Sequence, residues 1–291
     1  MNLIAIIGIA VQLSIFLSVL SFGMQATLDD IMYLFRRPGQ LVRALLSIFV
    51  IMFIFVALMV RLFDLNPVVK VALVALAVSP VPPLLPNKAL KSGGERSFTF
   101  GLLAAVSLLS VIVVPLAFTI INSVFNRQAT FSELAVIKTI LTSVVLPLVI
   151  GMLIRYFAPD FAERVAGTVG KIAMIVLIAA FLPILIVLLP VLWSLIGDGT
   201  ILAIIAFAIV GVTAGHYLGG PDPNDRTVLA LATTSRHPAI AIALASANMG
   251  ETEAKLAAAA IILYLVVSGI VVTPYLNWLT GGKAREKQEA V

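Results

Sequence analysis

The chain has 291 residues, of which 61% are hydrophobic and only 11% charged, and its mean hydropathy is +1.14. No soluble domain keeps that much apolar surface from water, so the composition selects an integral membrane protein, a single domain over residues 1–291. The net charge of +5 does not point to nucleic acid, because the basic residues collect in short loops, and a chain with no cysteine and two histidines has no disulfide framework, no thiolate chemistry and no histidine metal cluster.

Nine apolar stretches follow one another, over residues 2–24, 40–62, 67–91, 96–121, 135–157, 167–190, 199–219, 225–248 and 254–279. Each is long enough to cross a hydrocarbon core about 30 Å thick as a helix. Solid runs such as Ile172–Leu189 lack the alternation of a barrel strand, so the predicted class is an all-α membrane protein with about nine transmembrane helices. The first stretch has no basic region ahead of it and is long enough to span, so it reads as a helix and not as a signal peptide. Gln25, just after it, is a candidate for facing a polar cavity.

The third stretch is interrupted. Pro80, Pro82, Pro83 and Pro86 fall within seven residues, and each lacks an N–H and clashes with the preceding turn, so no regular helix passes through them. The carbonyls so freed need partners from protein, water or ions at membrane depth. Asn87 offers a donor and an acceptor directly after the break, and Lys88 extends either to the cytoplasmic surface or into a cavity. On the fourth stretch Ser107 and Ser110 are either helix-packing residues or ligands. His216, ending the seventh, reads as interfacial.

A second break lies in the eighth stretch, at Thr233-Thr234-Ser235-Arg236-His237-Pro238. A guanidinium at helix centre costs about 2.5–3.5 kcal/mol on insertion scales, so Arg236 must be paired or face a polar cavity. Two roles are open to it: gripping an anionic substrate, a carboxylate above all, or tethering bare carbonyls of a crossing helix. His237 either carries a proton near neutral pH or bonds backbone that Pro238 has freed. Thr233, Thr234 and Ser235 either line the site or satisfy carbonyls of their own helix. Asn248 closes the break as a ligand or as a helix C-cap.

Lys and Arg divide unevenly between the two sets of loops. Thirteen lie after stretches one, three, five and seven and in the tail 280–291, against five on the other side, which predicts an outside N-terminus and a cytoplasmic C-terminus. Both broken stretches lead through glycine to an acidic helix start, Glu95 or Glu251, and the next helix meets a proline, Pro115 or Pro274. By the loop charges the two units point in opposite directions. The chain thus reads as inverted repeats of four and five helices, 1–121 and 135–279, as in many secondary transporters.

Phe22-Gly23-Met24-Gln25-Ala26-Thr27-Leu28, the third-stretch break with Lys91-Ser92-Gly93-Gly94, and the stretch from Ser235 to Asn248 together resemble the bile acid:sodium symporter family. That resemblance implies a panel domain, a core domain and two broken helices crossing at the substrate and sodium sites. The chain departs from the family pattern in the second break, where a Glu comes four residues before a Gln-Asn-Ser run. Laid on that run, Ala232 stands at the Glu and Arg236 at the Gln. In the first break a family Ser-Asn pair falls near Pro86-Asn87, which keeps only the amide. A hard cation prefers carboxylate and carbonyl oxygens, so a guanidinium in this place disfavours sodium.

The expectation is a secondary transporter of a small organic anion, sodium-independent or proton-linked, with no cofactor and the lipid bilayer as its surroundings. The alternatives are a sodium-coupled organic anion symporter with a remodelled site, and a channel or sensor on the same fold. An enzyme is disfavoured, because no nucleophile–base or metal set is present.

Overall fold

The computed structural model describes residues 3–125, 133–246 and 249–289, and every element among them is helical. Helix α1 (Leu3–Gln25) leads through the short α2 (Leu28–Met32) to a long rod made of α3 (Pro38–Leu45), a π-helical stretch Leu46–Ile51 and α4 (Met52–Leu62). The first break separates α5 (Pro67–Val78) from α6 (Leu85–Lys91), and α7 (Arg96–Phe125) follows. A second rod joins α8 (Glu133–Ile140), a π-helical stretch Leu141–Val145 and α9 (Leu146–Phe157). Then come α10 (Pro159–Ser194), α11 (Thr200–Leu218), α12 (Pro223–Thr234), α13 (Pro238–Ser246) across the second break, and α14 (Glu251–Glu289). The last helix continues into the segment expected as a tail.

Eight stretches among the described residues are long and apolar enough to cross a membrane. The count falls one short of the nine expected spans because 67–91 is not one helix, and its break leaves only Pro67–Val78 as an apolar helix. The sixth span begins earlier than expected, at Pro159, where a proline at the first helical position loses no hydrogen bond. Pro86 is a correction of the same kind. It lies in the first turn of α6, so the first break proper occupies 79–84 and Pro86 helps to start the helix beyond it.

The two broken units are built alike, in a register with no gap. An offset of 156 positions relates Asn66 to Asp222, Pro67 to Pro223, Ser79 to Ser235 and Gly94-Glu95 to Gly250-Glu251. Asn66 and Asp222 each cap a 12-residue helix by accepting from a backbone N–H two residues on, at 2.9 and 2.7 Å, with proline at the first position. Each helix ends at a serine in extended conformation, Ser79 (φ −70°, ψ 143°) or Ser235 (φ −80°, ψ 135°). The units pack crosswise: α13 lies against α5, and α12 against α6.

Helices pack into two groups. α1, α9 and α10 form one, while α3, α4, α5, α11, α12, α13 and α14 surround the breaks in the other. Glycines set the closest approaches. A Cβ on Gly23 of α1 would meet Leu148 O of α9 at 2.4 Å, and one on Gly215 of α11 would meet Ala230 Cα of α12 at 2.4 Å. Without side chains there, backbones come near enough for dispersion and polar contacts to hold helices that lipid would solvate equally well.

Candidate functional site

Where the breaks cross, backbone of one meets side chain and backbone of the other. The His237 N–H donates to Pro80 O at 2.9 Å. Arg236 is 0% exposed, and its guanidinium spans two elements: Nη1 donates to Ser79 O at 3.2 Å and Nη2 to Ile48 O at 2.8 Å. Ser79 O belongs to the peptide bond ahead of Pro80, in the run where proline strips the helix of its donors. Ile48 lies in the π-helical stretch Leu46–Ile51, a geometry that is frequent at functional sites.

Side chains fix this fork in place. The guanidinium carbon lies 5.6 Å from the centre of the Phe207 ring, a cation–π distance. Tyr264 sets its edge against Phe207, with centroids 5.0 Å apart at 76°, and its hydroxyl donates to Thr234 O, the carbonyl left open as α12 ends. Ser47 Oγ and Thr233 Oγ1 share a hydrogen bond of 2.7 Å, while Thr234 Oγ1 returns to Ala230 O. Of the two roles expected for Arg236, the geometry is that of the tether. The guanidinium is occupied by carbonyls and is not among the groups lining the cavity beside it.

His237 likewise follows its backbone-bonded alternative. Its Nδ1 accepts from Ile240 N at 3.4 Å, which assigns the proton to Nε2, and Nε2 is buried without a partner, as is Arg236 Nε. Pro238 begins α13.

A cavity of about 340 Å³ opens beside the crossing. Asn87, Ser235, Lys88 and Lys91 supply its polar wall, and Pro82, Leu84, Leu85 and Met174 its apolar one. Met174 comes from α10, whereas α6, which carries Asn87, Lys88 and Lys91, packs on α12 of the other group, so the cavity lies between the two helical groups. Asn87 and Ser235 thus line one cavity, and Lys88 also lines it, half-buried beside Lys91. Thr233, Thr234, Ser107, Ser110 and Gln25 are elsewhere: Ser110 Oγ donates to Ser107 O at 2.7 Å, Ser107 Oγ is buried and unpaired, and Gln25 Nε2 bonds Ser21 O at 3.1 Å. Asn248 lies outside the described residues.

Several participants carry little or no sequence signal. Ser47 and Tyr264 are isolated polar side chains in apolar runs, and that isolation marks them in retrospect. Ile48 contributes only a carbonyl, and Met174 is one apolar residue among many.

Residues 12–192, more than half of the chain, match the model of the Sodium Bile acid symporter family. The match ends before the second break, so Arg236 and its neighbours lie beyond it. No curated protein matches the chain.

Proposed function

The chain belongs to the Sodium Bile acid symporter family, and from that premise we propose that it is a secondary transporter of a small organic anion, working by alternating access without a sodium ion at the crossing. The observation that carries this reading is the cavity between the two helical groups, which has two lysines and no carboxylate in its wall. Lys88 and Lys91 draw an anion in, Asn87 and Ser235 orient it, and Leu84, Leu85 and Met174 take its carbon skeleton. A cavity walled by both groups is opened to one side or the other as they shift against each other.

Arg236 accounts for the coupling part of the proposal. Its hydrogen bonds occupy two carbonyl oxygens that a hard cation would otherwise coordinate. Its charge adds repulsion: at about 4 Å and an effective dielectric of about 20, a second unit positive charge meets roughly 4 kcal/mol. Transport is then driven by the substrate gradient or by protons. The family's name favours the alternative, sodium-coupled symport of an organic anion through a remodelled site.

The deciding experiment is a ligand-stabilisation screen of the purified protein against carboxylates, sulfonates and sterol conjugates, each in sodium and in potassium. A binder raises the melting temperature by mass action. The expected result is an organic anion that stabilises equally in both salts, with affinity weakened about tenfold or more by Lys88→Gln, the loss of one charge-assisted hydrogen bond. Stabilisation that requires sodium refutes the coupling reading, and unchanged affinity in both Lys88→Gln and Asn87→Ala refutes the site.

A further inference from the structure

Asp225 is the acid that the crossing and the cavity leave unexplained. It lies in the first turn of α12, at the end away from Ser235, and is 3% exposed. Its Oδ2 accepts from Nε2 of Gln40 on α3 at 3.1 Å. The other half of this contact is unfinished on both sides: Asp225 Oδ1 and Gln40 Oε1 are both buried and without a donor. Two buried acceptors on the two members of one hydrogen-bonded pair form an expensive arrangement, since each costs the desolvation of an unmade bond. One proton repairs both. A carboxylic acid and a primary amide close a ring of two hydrogen bonds, the amide N–H to the acid's carbonyl oxygen and the acid O–H to the amide's oxygen. Gln40 Nε2 to Asp225 Oδ2 is the first of these bonds, and the two orphaned atoms are those that the second would join.

The charges around Asp225 do not supply a cation instead. Asp222, which caps α12, and Glu95, just ahead of α7, oppose a further negative charge, and Arg37, ahead of α3, favours one from beyond ion-pair distance while its guanidinium stacks 3.8 Å over the Tyr33 ring. Arg226 donates to Gly220 O, Arg43 to Gly39 O, and Arg96 to Gln25 O. Lys88 and Lys91 of α6 line the cavity, and His216 of α11 shares its Nδ1 with the hydroxyl of Tyr275 on α14. No ion pair to Asp225 lies within 4.0 Å among the described residues.

We propose that Asp225 and Gln40 form a proton-binding site in which the neutral Asp225 carboxyl is held by the Gln40 amide through two hydrogen bonds. The site ties the outer end of α12, whose inner end is the second break, to the start of the rod whose π-helical stretch receives Arg236. It deepens the transport reading by naming the residue that carries a coupling proton, and the experiment reads the carboxyl itself, so its failure is distinct from a failure of transport.

The test compares wild type with Asp225→Asn, because the asparagine amide also donates to Gln40 Oε1 and keeps the ring without titrating. Infrared spectra recorded as the buffer is taken from neutral to mildly acidic pH are expected to show a protonated-carboxyl C=O band growing in wild type that is missing from Asp225→Asn. Melting curves supply the second readout. A carboxyl protonated in the fold and ionised in the unfolded chain contributes stability that is lost as pH rises through its folded pKa. Wild type is therefore expected to melt progressively lower than Asp225→Asn as pH rises from the ordinary aspartate range to neutral, with no further change on the alkaline side, in sodium and potassium alike. Absence of the band, or parallel pH dependence of the two proteins, overturns the proposal. So does stabilisation of wild type by sodium alone that Asp225→Asn lacks, which would make the pair a cation site.

Discussion

Replacing Arg236 measures how much one side chain holds the crossing together. In Arg236→Ala the carbonyls of Ser79 and Ile48 stay buried and lose their donor, at about 1–3 kcal/mol each. The fully buried guanidinium and its stem leave a void, which adds roughly 2–5 kcal/mol by analogy with large-to-small core changes. Relief from holding a charge at membrane depth offsets about 2.5–3.5 kcal/mol. The net loss centres on about 4 kcal/mol. Arg236→Met fills most of the void while still baring both carbonyls, so its loss centres on about 1 kcal/mol. At roughly 2–4 °C per kcal/mol for chains of this size class, the alanine variant should melt about 8–16 °C below wild type and the methionine variant about 2–4 °C below. The assay is thermal unfolding of detergent-purified protein by intrinsic fluorescence, repeated in sodium and in potassium. The freed carbonyls of Arg236→Met should also make that variant, but not wild type, more stable in sodium. An alanine variant melting within a degree of wild type, or wild type itself stabilised by sodium, would show that the guanidinium is not what satisfies the crossing.

Two further outcomes follow from local geometry. Gly215→Ala sets a Cβ 2.4 Å from Ala230 Cα, so α11 and α12 must separate; a loss of about 1–3 kcal/mol is expected in the same melting assay, and a neutral result would place the helices further apart than described. Asp30 lies between the first two spans. Burial pushes its carboxyl up, but hydrogen bonds from Ser97 Oγ and from the Thr27 backbone N–H, with the Arg96 charge, outweigh burial and hold it below the ordinary 3.8. Its stabilisation is therefore present above the ordinary aspartate range and lost as pH falls through its lowered folded pKa, so the advantage of wild type over Asp30→Asn in melting temperature should shrink on acidification below about pH 4, and an advantage independent of pH contradicts the assignment.

Whatever depended on local covalent chemistry was legible in the sequence. Proline cannot donate, so the first break could be placed from Pro80, Pro82 and Pro83 alone, and Asn87 and Ser235 could be named as polar groups beside the breaks. The common register of the two units was also legible but required aligning their caps, Asn66-Pro67 on Asp222-Pro223; Pro115 and Pro274 fall outside that register and blur it. What was not legible came from backbone or from packing across the chain. Arg236 is answered by the carbonyl of Ile48, 188 positions away, and a carbonyl has no sequence signature. Lys91 and Met174 join the cavity only because α6 and α10 are neighbours there. Asp225 sits where a loop acid is expected, and only its burial distinguishes it from one.

The two breaks are alike in register but opposite in chemistry. The first is rich in acceptors, because its prolines contribute carbonyls without N–H groups. The second is rich in donors, with the Arg236 guanidinium reaching Ser79 O and the His237 N–H reaching Pro80 O. Each break thus supplies what the other lacks, and no third party is needed to neutralise bare carbonyls at their meeting point. A mobile cation in that place would do two things, holding the crossing together and drawing energy from its own gradient. A guanidinium fixed to the chain does only the first, since a covalently attached charge has no gradient across the membrane. On the reading proposed above, the driving force comes from the substrate or from a group that exchanges protons, the role proposed for the buried Asp225 carboxyl.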